Sequence, residues 1–210
     1  MPDLALSLER HLGLSVSRET LERLTIHLEL LEKWNPRINL VSRATLPEAW
    51  QRHVLDSAQV FQFSPASGGL WLDFGTGGGF PGLVCAILAA ELHPDLAYTF
   101  VESDGRKAAF LHQVLAATGL RAEIRADRIE AVPPQAARIV SARAVAALPS
   151  LLAYAQPHLA PGGTCLFPKG ANHDEEIALA RQHWRFKLSK KPSITEDKAV
   201  ILVLGDIERV

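Results

Sequence analysis

The sequence predicts an α/β fold in which a doubly wound sheet of seven mostly parallel strands follows an N-terminal helical extension. Strand-like and helical segments alternate from residue 70 to residue 183, which favours a parallel sheet with helices on both faces. A turn with four glycines in five residues follows the first strand. The last two strand-like segments are joined by a polar, proline-containing connection and predict a terminal antiparallel hairpin.

Three helices are expected before the first strand, because apolar residues recur there at helical spacing. The first spans residues 3–12, the second is ended by Trp34-Asn35-Pro36, and the third begins at Pro47. These helices make residues 1–66 an extension packed on the core. Residues 67–210 are expected to form one compact domain.

The compact domain is expected to hold the whole sheet. Its strands lie near residues 70–74, 97–102, 120–126, 138–142, 163–168, 184–190 and 199–204. Its helices lie near residues 81–92, 104–118, 147–159 and 171–183, with a short helix after Asp127. In such a sheet, ligands bind at the carboxyl ends of the parallel strands.

Composition and charge exclude several classes of protein. Apolar residues make up 48% of the 210 residues, so the chain is not disordered, and a net charge of −1 argues against a uniformly basic protein that coats nucleic acid. Cys85 and Cys165 stand in apolar runs and are expected to be buried thiols. No Cys/His cluster has metal-ligand spacing, so no metal is expected. Without a signal peptide or a membrane-spanning run, the chain is expected to be cytoplasmic.

The glycine-rich turn is the strongest functional signal in the sequence. Its glycines are Gly75, Gly77, Gly78 and Gly79. Such a turn lets a ligand approach the backbone, and the helix that follows at Pro81 presents free N–H groups at its start. Residues 77–82 also match the G-x-G-x-x-G pattern of dinucleotide-binding proteins. The turn alone therefore leaves open a dinucleotide, another nucleoside cofactor, or a structural turn without a ligand.

Two acidic residues at strand ends favour S-adenosylmethionine over a dinucleotide. Asp73 lies inside the motif, where its carboxylate would repel a pyrophosphate and attract the cationic methionine end of S-adenosylmethionine. Glu102 ends the next strand-like segment, where an acidic residue suits the ribose hydroxyls of either cofactor. Asp73 therefore distinguishes the two cofactors better than Glu102.

The loop at residues 34–40 contains candidates for substrate contact. Arg37 and Asn39 could contact a phosphate or a base from this proline-containing loop. Alternatively, Asn35 and Asn39 fix the turn through local side-chain hydrogen bonds. Elsewhere in the sequence, local clusters of basic residues could position phosphates without reading sequence, or form solvated faces: Arg121, Arg125 and Arg128, then Arg181, Arg185, Lys187, Lys190 and Lys191.

Further polar candidates lie on the third helix and after two strands. Arg52 and Asp56 are four residues apart, so they form either a surface ion pair or part of a polar face turned toward a substrate. Arg143 follows the fourth strand and could hold a carboxylate or phosphate, or pair with a nearby acid. Lys169 follows the fifth strand and would face the same cleft, although lysines are usually solvated.

Together these motifs resemble the bacterial glucose-inhibited division protein B family, the small-subunit ribosomal RNA guanine-N7 methyltransferases. The matching segments run in order over residues 20–205: Lys33-Trp34-Asn35, Asn39-Leu40, Arg52-His53, Leu55-Asp56-Ser57, Asp73 through Gly82, Glu102-Ser103, Arg106-Lys107, Arg128-Ile129-Glu130, Ser141-Ala142-Arg143-Ala144 and Lys169-Gly170. Many methyltransferases share the glycine turn alone. The combination of segments is what makes the resemblance specific.

The resemblance implies a class I, Rossmann-like methyltransferase that uses S-adenosylmethionine and releases S-adenosylhomocysteine. Its substrate would be N7 of a guanine in the 530 loop of 16S ribosomal RNA, in the small subunit or an assembly intermediate. The cofactor contacts carried over by motif are Gly75, Phe80, Ile129, Glu130 and Arg143. Glu102 joins them as the ribose partner, and Asp73, Gly77 and Gly79 join them from the turn. The position of Gly78 is often alanine or proline in relatives.

The same resemblance directs attention to a set of polar residues for the RNA and the chemical step. The RNA-binding candidates are Arg37, Asn39, Arg52, His53 and Lys169, and Arg143 and Lys169 are the candidates nearest the chemistry. Residues 141–144 lack the acidic or asparagine-aromatic cluster expected for methylation of an exocyclic amine, which agrees with attack by N7 without a base. We expect a monomer that does not bind membranes. Taken without the resemblance, the residues also leave open a nicotinamide-dependent oxidoreductase or a non-catalytic nucleotide-binding module.

Overall fold

The computed structural model describes residues 2–65 and 68–210, and its centre is a seven-stranded sheet with helices on both faces. The strands are β1 (Gly69–Phe74), β2 (Leu96–Val101), β3 (Glu123–Arg125), β4 (Ala137–Ala142), β5 (Leu159–Lys169), β6 (Trp184–Pro192) and β7 (Val200–Arg209). The helices are α1 (Pro2–Leu12), α2 (Arg18–Ile38), α3 (Asp56–Phe61), α4 (Gly82–Leu92), α5 (Gly105–Thr118), α6 (Leu148–Ala155) and α7 (His173–Ala180).

The strand order is β3-β2-β1-β4-β5-β7-β6. The first five strands are parallel, whereas β7 lies antiparallel between β5 and β6. This confirms the predicted mostly parallel sheet with a terminal antiparallel hairpin. The strand order reverses direction at β1 and β4, so the segments after these two strands border the crevice in which doubly wound sheets bind ligands.

Each face of the sheet carries its own apolar core. Trp71 of β1 faces the core that α2, α4 and α5 cover, and Leu72 and Phe74 face the core beneath α6 and α7. All three side chains are fully buried. Complete burial of a large apolar side chain stabilises a fold by roughly 1.5–3 kcal/mol, so the alternation along β1 fixes which residues face each layer.

The N-terminal helices pack directly on the sheet-covering helices. Helix α2 lies against α4 and α5, and α3 lies against α4. The carboxylate of Glu91, in the last turn of α4, accepts hydrogen bonds from the Ser17 backbone and from the hydroxyl of Thr20 at 2.6 Å. The predicted boundary between residues 66 and 67 lies outside the described residues, and the division into an extension and a domain stays a prediction.

Two helices differ from their predicted form. Helix α2 continues through Pro36 to Ile38, because a proline in the last turn loses only one backbone hydrogen bond before the helix ends. The third predicted helix is a 3₁₀ turn (Leu46–Glu48) and a π-helical turn (Trp50–Leu55) that continues into α3. Within residues 2–65 and 68–210, no helix combines the length and apolar content needed to cross a bilayer.

Candidate functional site

The turn after β1 is packed tightly against two other parts of the chain. Gly75, Gly77 and Gly79 have φ angles of 60°, 52° and 94°, a region that residues with side chains rarely adopt. A Cβ atom at Gly75 would lie 2.6 Å from Cγ2 of Val145, and one at Gly79 would lie 2.8 Å from Nε2 of His27. The turn is therefore held between α2 and the segment after β4, and its course requires glycine at these positions.

Glu102 fastens this turn to the end of β2. Its Oε2 accepts a hydrogen bond from the N–H of Gly77 at 2.9 Å, and its Oε1 accepts one from the N–H of Asp104 at 2.8 Å. The residue is 6% exposed, less than its predicted role as a ribose partner implies. Each carboxylate oxygen has two lone pairs, so Glu102 can shape the turn and still accept a bond from a hydroxyl.

Asp73 does not face the cleft, contrary to the prediction. The first turn of α4 lies directly over it, and a Cβ atom at Gly82 would be 2.6 Å from its Oδ2. Its Oδ1 accepts a hydrogen bond from Ser141, which accepts one from Nε1 of Trp71 at 2.8 Å. Burial raises the pKa of Asp73 to about 6, although the bond from Ser141 opposes this shift. Asp73 therefore supports the site from beneath.

A first cavity of about 280 Å³ opens beside the glycine turn. Of the predicted cofactor contacts, Gly75, Ile129 and Glu130 line it, whereas Asp73, Gly77, Gly79, Phe80 and Glu102 lie outside its wall. The other lining residues are Val101, Ser103, Asp127, Arg128, Val145, Ala146 and Tyr154. Apolar side chains beside carboxylates fit the base of a nucleoside and its amine and hydroxyl donors, so these residues fit S-adenosylmethionine.

A second cavity, of about 540 Å³, adjoins the first. Val145 and Ala146 line both cavities, so a ligand in one would lie next to a ligand in the other. The predicted residues that line this second cavity are Arg52, His53, Arg143 and Lys169. Further polar side chains in its wall come from Thr45, Asp56, Glu176, Ser193, Thr195 and Glu196.

Arg143 forms an ion pair with Asp56 in the wall of the second cavity. Its Nη1 lies 3.4 Å from Oδ2 of Asp56, and its guanidinium carbon lies 5.1 Å from the ring centre of Phe80. Of the two interpretations of Arg52 and Asp56, the ion pair does not form, and Arg52 contacts Glu196 at 3.4 Å instead. Both arginines therefore stay at the cavity, which supports the interpretation of a polar face turned toward a substrate.

Lys169 is tied into the protein interior. Its Nζ donates to the carbonyl oxygen of Ala146 at 2.8 Å and to Oε2 of Glu176 at 2.7 Å, and 9% of its side chain is exposed. Glu176 also accepts a hydrogen bond from the N–H of Leu148. Lys169 is therefore not solvated, as lysines usually are, but forms a partly buried ion pair with Glu176. Lys169 fixes the segment that separates the two cavities.

Phe80 is enclosed by two histidine rings. The ring centres of His27 and His53 each lie 5.0 Å from that of Phe80. Burial lowers the pKa of both histidines to about 4, so both are neutral near pH 7. His27 also donates a hydrogen bond from Nε2 to the carbonyl oxygen of Gly78 at 2.7 Å. Sequence reasoning missed His27, because a single histidine on an apolar helix face carries no signal of this contact.

Residues 35–39, at the end of α2, line neither cavity. Asn35 is buried and accepts a hydrogen bond from the N–H of Val41 at 2.8 Å, which confirms its role in fixing the turn. Asn39 ends α2 in a left-handed conformation, with φ of 51°. Arg37 and Asn39 are exposed and line neither cavity. They remain candidates for contacts with a large ligand outside the cavities.

The fold resembles that of solved methyltransferases with low sequence identity. A SAM-dependent methyltransferase from Aquifex aeolicus superposes with a TM-score of 0.57 and 12% identity, over 76% of this chain and 92% of that chain. TYW2 of M. jannaschii, solved in complex with AdoMet, superposes with a TM-score of 0.54 and 13% identity, over 83% of this chain and 80% of that chain. Likeness at this identity establishes the methyltransferase fold.

Comparison of sequences is more specific. The Ribosomal RNA small subunit methyltransferase G of Ruegeria sp. (strain TM1040) is 51% identical over 200 residues, which make up 95% of this chain and 97% of the relative. A family model described as GidB, rRNA small subunit methyltransferase G, matches residues 20–201. That match includes the glycine turn and both cavities described above. With identity of this extent and a match over nearly its whole length, the chain belongs to the GidB family, rRNA small subunit methyltransferase G.

Proposed function

We propose that this protein transfers a methyl group from S-adenosylmethionine to N7 of a guanine in the 530 loop of 16S ribosomal RNA. The observation that carries the proposal is the pair of adjoining cavities that share Val145 and Ala146. The first cavity has residues that fit a nucleoside cofactor, and the second has cationic and polar residues that fit a nucleotide. Family membership supports the pairing of these two ligands.

Residues around the first cavity would hold the cofactor through its nucleoside. Ile129 would pack against the base, Glu130 would accept from the base amine or a hydroxyl, and Glu102, which borders the cavity through its bond with Gly77, would accept from the ribose. The left-handed turn at Gly75 brings the backbone close to the ligand. When bound, S-adenosylmethionine supplies a methyl group whose carbon–sulfur bond breaks as N7 attacks, leaving the electron pair on sulfur and the positive charge on the purine.

Residues around the second cavity would position the base. N7 of guanine has a free lone pair and no proton to lose, so no general base is required. Arg52 and Arg143 supply positive charge for the flanking phosphates, and Lys169 fixes the wall between the cavities. Precise placement of the base would be the main contribution to catalysis, because proximity can lower a barrier by roughly 7–11 kcal/mol at best. The base must be unpaired or flipped to enter.

The sheet and the family disfavour the two alternative functions. A nicotinamide-binding sheet has the order 3-2-1-4-5-6, whereas here an antiparallel strand lies between β5 and β6. A non-catalytic module would bind the cofactor without transferring its methyl group, and membership of a methyltransferase family disfavours that alternative. We propose that the protein acts as a cytoplasmic monomer on 16S RNA in the small subunit or an assembly intermediate.

Chemical mapping of 16S RNA tests the proposal. Borohydride and aniline cleave RNA at 7-methylguanosine, so RNA from wild-type cells should be cleaved once in the 530 loop. RNA from cells without the protein should resist cleavage there, and expression of the protein from a plasmid should restore it. The proposal is contradicted if cleavage persists without the protein. It is also contradicted if the methyl group that is missing without the protein belongs to an atom other than N7 of this guanine. Calorimetry with S-adenosylhomocysteine and NAD tests the cofactor separately.

A further inference from the structure

Hydrogen bonds from the end of β6 and the connection after it hold the part of the second cavity's wall that carries Asp56. Gln59, one turn further along α3, donates to the carbonyl oxygen of Pro192 at 2.7 Å and accepts from the N–H of Ile194 at 3.0 Å. The hydroxyl of Thr195 donates to Oδ1 of Asp56 at 3.1 Å. The connection between β6 and β7 is thus fastened to α3 along one helix face, and it holds the carboxylate of Asp56 at the cavity.

Of the three acidic side chains in this wall, Asp56 is the least exposed, and its contacts are longer than those of Glu176. Oε2 of Glu176 already accepts from Lys169 and from a backbone N–H, both at 2.7 Å. Glu196 is 53% exposed at the rim, where it contacts Arg52. Asp56 is 14% exposed, and its single contact with Arg143 is long, at 3.4 Å. The pair is not bidentate, because a bidentate pair is joined by two parallel hydrogen bonds and only one contact is present here. Acceptor positions on the carboxylate of Asp56 therefore remain free.

A sheltered carboxylate with free lone pairs matches one edge of guanine. N1–H and the N2 amine are adjacent donors on the Watson–Crick edge of guanine, and an ionised carboxylate is an acceptor with two oxygens. N7 lies on the opposite side of the purine. A base held by that edge would therefore leave N7 free to face the segment at Val145 and Ala146, where the two cavities meet.

We infer that Asp56 is the residue that reads the target base, by accepting hydrogen bonds from N1–H and the N2 amine of guanine. This inference rests on the proposed function and names the group that selects guanine within it. As the purine gains positive charge, N1–H becomes a stronger donor, and its bond to Asp56 strengthens toward the transition state. Adenine lacks both donors and would leave the carboxylate without a partner.

Inosine at the target position tests the inference, because it lacks only the N2 amine and keeps N7 unchanged. Small subunits would be assembled from 16S RNA with guanosine or inosine at the target. We expect wild-type protein to prefer guanosine by roughly 10-fold to 100-fold in the single-turnover rate. Affinity measured by fluorescence anisotropy with S-adenosylhomocysteine present, where no transfer occurs, should show a preference in the same direction.

The variant Asp56→Asn should lose this preference. Its amide turns one acceptor into a donor, so the rate with guanosine should fall by roughly 10-fold to 100-fold, whereas the rate with inosine should fall less. Asp197→Asn is the matched control, because it removes a carboxylate from the connection that holds Asp56, at an exposed position outside the cavity wall. This control should keep the guanosine preference of the wild type.

Two results would overturn the inference. The first is equal binding and equal methylation of inosine RNA and guanosine RNA by wild-type protein. This result needs no variant, so misfolding cannot explain it. The second is a guanosine preference that is unchanged in Asp56→Asn. Failure of the proposed function would be a different result: wild-type protein would not methylate N7 of guanosine RNA at all, and the inference would fall with it.

Discussion

Glu102 and Gly77 are joined by a hydrogen bond of 2.9 Å from the backbone N–H of the glycine to Oε2 of the carboxylate. The bond couples the end of β2 to the turn after β1, so one side chain sets the shape of the turn and offers lone pairs toward the proposed ribose site. A single substitution at Glu102 should therefore change both folding and cofactor affinity.

The substitution Glu102→Gln tests this double role. A glutamine would place an N–H₂ donor against one of the two backbone donors, so we expect the free energy of unfolding to fall by about 1–3 kcal/mol. The loss of a charged acceptor should also lower the affinity for S-adenosylhomocysteine, measured by calorimetry, by roughly tenfold or more. Glu123→Gln, at a half-exposed position on β3, is the control. Unchanged affinity at a temperature where the variant is folded would remove Glu102 from the ribose site.

Two neighbouring glycines should respond differently to alanine. Gly79 has φ of 94°, and a Cβ there would lie 2.8 Å from Nε2 of His27, so Gly79→Ala should lower the free energy of unfolding by about 1–3 kcal/mol. Gly78 lacks a positive φ, and its nearest atoms would lie 3.4 Å from a Cβ. Gly78→Ala should therefore change stability by no more than about 1 kcal/mol. Equal losses in urea unfolding would contradict this packing of the turn.

Exposed Arg37 should contribute to RNA affinity through charge alone. Its guanidinium forms no ion pair within the described residues, so it is available to a phosphate. Arg37→Ala should weaken binding of small-subunit RNA and lower the slope of log affinity against log salt by about 1. Arg18→Ala, at the other end of α2, should leave the slope unchanged. A slope equal to that of the wild type for Arg37→Ala would exclude the end of α2 from the RNA surface.

Local sequence patterns were sufficient to predict most of the fold. Apolar patterns and turn residues located all seven strands, because most of the strands are short apolar or alternating segments bounded by turn residues. The place of β7 between β5 and β6 depends on pairing between distant segments, and no local pattern encodes it. The end of α2 was misjudged because proline is tolerated in a last turn.

The site was harder to predict, because side-chain direction depends on tertiary packing. Arg52 and Asp56 are four residues apart, but the π-helical turn at Trp50–Leu55 has more residues per turn than an α-helix, so they do not pair. Asp73 is near a strand end, as predicted, yet α4 covers it. The contact of His27 with Gly78 joins residues 51 positions apart, which periodicity cannot show.

The buried neutral His27 should make stability depend on pH. Its folded pKa of about 4 lies below the ordinary 6.5, so the unfolded chain binds more protons between these values, and stability falls as pH falls through this window. Stability from this residue is fully present above about pH 6.5 and changes by at most about 1.4 kcal/mol per pH unit below it. His53 acts in the same direction, and the raised pKa of Asp73 acts in the opposite direction.

A difference measurement isolates this effect. His27→Gln keeps an N–H donor for Gly78 and does not titrate, so its unfolding free energy should fall less steeply than that of the wild type as pH is lowered. Urea unfolding between about pH 4.5 and pH 7.5 gives both slopes. His11→Gln, at an exposed position on α1, should keep the slope of the wild type. Parallel curves for His27→Gln and wild type would show that His27 is not held neutral by burial.

Attack by guanine N7 predicts a chemical step that is insensitive to pH. N7 carries no proton, and His53, the histidine in the wall of the second cavity, has a pKa lowered to about 4, so it stays neutral across the neutral range. Single-turnover transfer with both substrates saturating should therefore be nearly flat between about pH 6.5 and pH 8.5. Methylation of an exocyclic amine would instead require removal of a proton, and a limb from the responsible base would appear. A tenfold rise in rate per pH unit across this window would contradict N7 as the nucleophile, and mapping of the methylated atom would then identify the group that attacks.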